Sequence, residues 1–183
     1  MAARKKAASS IDDVSQLDDV VEEARQGSDS AFAVLWRYFY PRMLRYLRTF
    51  TIDAEDLCSE VWVRIAGAIS TFVGGATAFQ AWIFTIARNL ATDYARKKKS
   101  QGISEPLNDE SWIGYDTSDF DVQDLLRALP AEQAEIITLR VVVGLEIDLI
   151  AQVTGKTPAN IRVITHRGLS KLRTELAGLG SAL

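Results

Sequence analysis

The sequence is poor in the residues that build metal and redox chemistry: its 183 residues hold one cysteine, Cys58, and one histidine, His166. A single cysteine excludes an intramolecular disulfide and fits a reducing compartment. One cysteine and one histidine are too few for a Cys/His zinc site. HExxH, GxSxG and GxxxxGK are all missing, so zinc-protease, nucleophile-elbow and P-loop nucleotide chemistry have no foothold. Apolar runs are short and broken by charge, so no segment is expected to span a bilayer. Residues 1–10 are basic and Ala/Ser-rich, but Asp12 and Asp13 follow without an apolar stretch, which does not read as a secretory signal. No alternating strand pattern of useful length occurs; Val141-Val142-Val143 is too short and ends a helical period. No catalytic, cofactor or metal site is expected.

What is present is ordinary globular material, 48% hydrophobic and 25% charged, enough for two modest cores. The net charge of −3 argues against a nucleic-acid partner until its distribution is read. Between residues 88 and 99, Arg88, Arg96, Lys97, Lys98 and Lys99 face one acid, Asp93, a local charge of +4. Residues 156–173 add Lys156, Arg162, Arg167, Lys171 and Arg173 with no acid. The acids gather instead in Glu105, Asp109, Glu110, Asp116, Asp119, Asp121 and Asp124, a stretch without Lys or Arg. Local potential governs binding to a polyanion, and two basic patches survive that test.

Periodicity predicts helices throughout. Leu17, Val20, Val21 and Ala24 recur at helical spacing and stop at Gly27. A helix over 30–50 carries Pro41, expected to kink or split it. A third, 53–69, has Asp53 as its N-cap, and a loop over 70–78 separates it from a fourth, 79–98. Residues 102–122 have no sustained period and read as an interdomain linker. Short helices follow over 124–129, to Val143, and over 145–154, and a last helix runs over 158–176. The expectation is an all-α chain: a disordered 1–15, a four-helix domain over 16–99, a flexible acidic linker over 100–122, a helix-turn-helix domain over 123–178 and a tail, 179–183.

The second domain has the sharpest local pattern. Thr154-Gly155-Lys156 is a tight turn, with Thr157 as N-cap and Pro158 as first residue of the next helix. Ile161, Ile164, Gly168 and Leu172 would face the core, and Gly168 would permit close packing on the preceding helix. The other face presents Asn160, Arg162, His166, Arg167 and Lys171, hydrogen-bonding groups for base edges and cations for phosphates. A hairpin with a solvated basic face has the same pattern.

In the first domain, Ala54, Leu57, Cys58, Val61, Trp62 and Ile65 share one helix face, with Asp56, Ser59, Glu60 and Val63 opposite. An acidic face with an apolar residue in it suits a basic protein partner, or is simply solvated. Cys58 reads as a small buried hydrophobe. The fourth helix sets Phe79, Trp82, Ile83, Ile86, Leu90 and Tyr94 against Thr85, Arg88, Asn89, Thr92 and Arg96. A basic face beside a loop suits unpaired DNA, although cations at a helix end also complement its dipole.

Together these segments resemble the extracytoplasmic-function (ECF) class of bacterial RNA polymerase sigma factors. The likeness covers residues 17–176, through GSDSAFAVLWRYFYPRMLRYL, DAEDLCSEVWVRI, FQAWIFTIARNLATDYARKKK and LPAEQAEIITLRVVVGLEIDLIAQVTGKTPANIRVITHRGLSKL. It implies a factor that binds core polymerase and directs initiation at promoters by reading −35 and −10 elements. Asp56, Ser59, Glu60 and Val63 would meet the β′ clamp helices, and the second domain the β flap. Thr85, Arg88, Asn89, Thr92, Asp93, Arg96 and Lys97 would lie along single-stranded −10 DNA, with 71–78 capturing a flipped base. Pro158, Asn160, Arg162, His166, Arg167 and Lys171 would lie at duplex −35 DNA. The linker would thread toward the RNA exit path, its acids either screening the basic faces or forming a solvated tether, and an anti-sigma factor and a cytoplasmic location are implied. Ser59 stands where the family usually has Gln, Ala134 for a frequent Arg, Glu146 for Ser or Thr, and Leu149 for Glu. Val163 and Ile164 replace a common Ser-Arg pair. The rival is a helix-turn-helix regulator acting on duplex DNA without polymerase; the N-terminal domain lacks the βαβ pattern of a receiver.

Overall fold

The computed structural model describes residues 14–100, 126 and 128–180, with no side-chain account of 178–180. The expected disordered 1–15 (all but its last two residues), the acidic linker beyond Ser100, residues 124, 125 and 127 of the expected short helix and the end of the tail fall outside the described residues. Every regular element among the described residues is helical. A 3₁₀ turn at Val14–Leu17 leads into α1 (Asp18–Arg25), followed by α2 (Asp29–Leu47) and α3 (Ala54–Ala68). A second 3₁₀ turn, Ile69–Thr71, precedes α4 (Ala76–Ser100). The C-terminal part has α5 (Ala131–Ile137), running on as a π turn at Thr138–Val142, then α6 (Ile147–Thr154) and α7 (Pro158–Gly180).

α2 begins where Ser28 supplies a cap, its Oγ accepting from the Ala31 N–H at 3.3 Å. Pro41 does not split the helix, contrary to one of the two sequence expectations; Arg37 loses one backbone partner, and the packed faces on either side hold the helix as one element. Asp53 precedes α3 but makes no side-chain cap. Its carboxylate accepts instead from the Tyr94 hydroxyl and, at 2.8 Å, from Lys98 Nζ, which ties the start of α3 to the end of α4. α4 starts three residues earlier than its pattern indicated, because Asp18 reaches across from α1 and accepts the Ala76 N–H at 2.6 Å.

The α3 face predicted to be apolar is buried at all six positions. It packs with α2 and α4 around Phe39, Phe79 and Phe84, each fully buried, and each such side chain contributes on the order of 1.5–3 kcal/mol of transfer free energy. Phe72, Phe79 and Trp82 add a chain of aromatic contacts at 5.1–5.6 Å. In the C-terminal part, Gly155 takes φ +70°, a left-handed turn that an L side chain would strain, and Thr157 caps α7 through the Asn160 N–H at 3.3 Å. Gly168 does serve close packing, but against α5: a Cβ there would sit 3.0 Å from Ile137 Cγ1.

The two helical parts are not held apart. A single apolar cluster runs from Leu17 through Phe84 to Ile136, Leu145 and Ile164. α6 lies on α4, and the π turn lies on α2.

Candidate nucleic-acid and polymerase interfaces

Three exposed faces carry the candidate residues. On α3, Asp56, Ser59, Glu60 and Val63 are all exposed, forming a stripe at three- and four-residue spacing. Val63 is 72% exposed, an apolar group held in water beside two acids and a serine. Glu60 pairs with Arg64 at 2.7 Å, and the Ser59 hydroxyl donates back to the Glu55 carbonyl at 3.0 Å.

On α4, Asn89, Thr92, Asp93, Arg96 and Lys97 are exposed, and Asp93 pairs with Arg96 at 3.2 Å. Thr85 and Arg88, assigned to the same face, lie at the seam with the C-terminal part. Arg88 Nε donates to Glu135 Oε1 at 2.7 Å, and that same oxygen accepts from the Tyr46 hydroxyl at 3.0 Å. The Glu135 side chain is 8% exposed and that of Arg88 26%. Burial, then the neighbouring Glu135 carboxylate, holds the Tyr46 phenol well above its ordinary pKa, so it remains a donor. A second buried tie, Gln80 Nε2 to the Val143 carbonyl at 2.8 Å, crosses the same seam. Beside it a cleft of about 620 Å³ is lined by Thr77, Trp82 and Thr85 from α4 and by Leu149 and Gln152 from α6. The non-helical loop spans only 72–75, shorter than the predicted 70–78, and carries Val73 at 83% exposure.

On α7, Asn160, Arg162, His166 and Arg167 are exposed and Pro158 is half-buried. Ile161 and Ile164 are buried against α5 and α6. Lys171 is turned back, donating to the Ala128 carbonyl at 2.5 Å.

Sequence reasoning missed Glu135, Tyr46 and Gln80. The signal available was a lone acid inside the apolar run 134–139, a position that demands a cation or hydroxyl partner once buried. No helix among the described residues is long and apolar enough to cross a membrane.

These faces belong to a chain that matches Sigma-70 region 2 over residues 35–101 and Sigma-70 region 4 over 119–172. It is 30% identical to the ECF RNA polymerase sigma factor BldN of Streptomyces coelicolor, over 92% of this chain and 68% of that protein. It is 29% identical to the ECF sigma factor SigD of Mycobacterium bovis, over 90% and 86% of the two chains. The chain therefore belongs to the Sigma-70 family, and within it to the ECF sigma factors, alternative factors that direct transcription initiation. Members of this class act as non-catalytic regulators of RNA polymerase. Solved structures share the fold: CnrH in complex with the cytosolic domain of CnrY has TM-score 0.62 at 21% identity, covering 88% of this chain and 98% of that one. RpoE in complex with the anti-sigma factor NepR from Bartonella quintana has TM-score 0.63 at 23% identity, covering 80% and 96%.

Proposed function

We propose that α3 docks on the β′ clamp helices of core polymerase through Asp56, Ser59, Glu60 and Val63. On this reading α4 carries the melted −10 strand on Asn89, Thr92, Asp93, Arg96 and Lys97, joined by Thr85 and Arg88, and loop 72–75 receives an unstacked base. α7 lies in the −35 major groove with Asn160, Arg162, His166 and Arg167. The supporting observation is the segregation of the exposed faces: the acidic-apolar stripe on α3 stands apart from the cationic faces of α4 and α7.

The same reading gives the seam a role. Arg88 cannot serve a phosphate while it is paired with Glu135, and Thr85 lines a cleft roofed by α6. Engagement of the whole −10 face then requires α6 and the π turn to leave α4 and α2. The outer face of α7 is exposed in the packed arrangement, so duplex contact does not demand opening. An anti-sigma protein, the kind of partner bound to RpoE in its complex with NepR, would act by holding the packed arrangement. The chain works in the cytoplasm and carries no chemistry of its own.

Charge reversal at Glu60 tests the docking surface. Glu60 is exposed and its pair with Arg64 spans one helical turn, so Glu60→Lys leaves the fold intact. The expected result is loss of co-elution with core polymerase at unchanged thermal stability. Normal holoenzyme assembly by the folded variant would remove α3 from the interface. The rival regulator predicts no core binding by the wild-type chain.

A further inference from the structure

The N-terminal half of the line of α7 that points farthest from the protein is apolar where a DNA-reading helix is expected to be polar. At about 100° per residue, the buried Ile161, Ile164 and Gly168 define the inner side, and the opposite line is Ala159, Val163, His166 and Ser170. Arg162 lies to one side of this line, with Asn160 and Arg167 on the other. A helix seated in the major groove turns its outer line to the base edges and its flanks to the phosphates. The N-terminal half of that line consists of Ala159 and Val163, and Val163 is 46% exposed. Neither side chain donates or accepts a hydrogen bond. The apolar feature that unmodified DNA offers on the major-groove edge is the thymine 5-methyl group.

We propose that Val163, with Ala159 beside it, reads a thymine methyl in the −35 duplex, so that this factor's upstream specificity includes an apolar contact. The proposal rests on α7 being the duplex-reading helix. A single exposed valine is ordinary on a protein surface. Val163 differs in its position: it lies on the outer line, in a helix that packs through its other side on α5 and α6. A β-branched residue there restricts χ1 within a helix and, at 46% exposure, leaves about half of its surface uncovered in this chain. Contact with a partner surface is what such a residue can supply.

Replacing thymine with deoxyuridine deletes the methyl and leaves the base-pair hydrogen bonds intact. Holoenzyme reconstituted with the wild-type chain is first used to select a −35 element from duplexes randomised upstream of a −10 element. Deoxyuridine is then placed at each thymine of the selected element, on either strand. One position is expected to weaken wild-type holoenzyme binding about fourfold, the equivalent of one buried methyl group. Val163→Ala holoenzyme is expected to bind the thymine duplex about fourfold more weakly and to show no further loss with deoxyuridine. Circular dichroism of the variant checks that it folds; the site is exposed and alanine favours helix. Equal deoxyuridine penalties in the two proteins, or none in either, would overturn the inference while leaving α7 as the reading helix. A selected element made only of G·C pairs would overturn it too. Selection that returns no upstream preference would instead overturn the assignment of α7 itself.

Discussion

Removing the Glu135 carboxylate is the sharpest perturbation of the seam between the two helical parts. In Glu135→Ala, the Tyr46 hydroxyl is left buried without the acceptor it reaches at 3.0 Å, which costs about 1–3 kcal/mol. The charge-assisted bond from Arg88 at 2.7 Å is lost as well, but the Arg88 side chain is 26% exposed and can turn to water, so its share is discounted to about 1 kcal/mol. The packed arrangement is thus weakened by about 2–4 kcal/mol, a shift in the opening equilibrium of about 30-fold to nearly 1,000-fold. Glu135 belongs to none of the proposed DNA-contacting faces, so the variant frees Arg88 without altering it. Small-angle scattering of the free factor is expected to show a larger radius of gyration. Affinity for a −10 non-template oligonucleotide is expected to rise with it. Arg88→Ala loses only its own bond to Glu135 and keeps the Tyr46 one, so it should open the protein by the smaller share of about 1 kcal/mol and show no such gain, because it deletes the contact it releases. A Glu135→Ala protein that melts earlier, yet keeps its radius and its oligonucleotide affinity, would refute the latch and leave Glu135 as a folding residue.

Further outcomes follow from the core and the exposed faces. Burial pushes the Cys58 thiol up to about 12, so it stays protonated and shielded at pH 8; thiol labelling should proceed at the rate of unfolding, and rapid labelling of the native protein would contradict its place in the core. Hydrogen bonds from Lys98 and then Tyr94 hold the Asp53 carboxyl below its ordinary range. The resulting stability is present above the unfolded carboxylate pKa and is lost as pH falls through the folded value. Asp53→Asn should therefore cost about 0.5–1 kcal/mol near pH 7, given the 40% exposure of Asp53, and nothing in strong acid; denaturant melts across pH check this, and a pH-independent difference would contradict it. Arg167 is exposed on a flank of α7, so Arg167→Ala should lower the salt dependence of −35 duplex binding by roughly one unit of slope. An unchanged slope would take Arg167 off the phosphates.

Helix existence was legible in the sequence because each helix carries its own apolar period. All six predicted α3 positions are buried, and the Thr157 cap and the Gly155 turn are local chemistry that local sequence specifies. What was not legible depends on partners distant in sequence. Asp53 reads as an N-cap, yet its carboxylate is taken by side chains 41 and 45 residues away. The start of α4 is set by Asp18, 58 residues before Ala76. Arg88 reads as a free cation on a basic face, and only the packing of the C-terminal part on α2 and α4 reveals that Glu135 occupies it. The candidate faces divide in the same way. Exposure agrees with periodicity on α3 and on the outer side of α7, and falls short at Thr85 and Arg88, where the C-terminal part intervenes; Lys171 is exposed, but its ammonium is turned to the Ala128 carbonyl.

The central claim, that this chain is a promoter-recognition subunit of RNA polymerase, is tested most directly by run-off transcription with purified core enzyme. Added to core on a template bearing its selected promoter, the chain should yield transcripts from one start site, and scrambling either the −35 or the −10 element should abolish them. Sequence-specific duplex binding by the chain, with no promoter-dependent transcript from core, would contradict the account and favour a regulator that acts apart from polymerase.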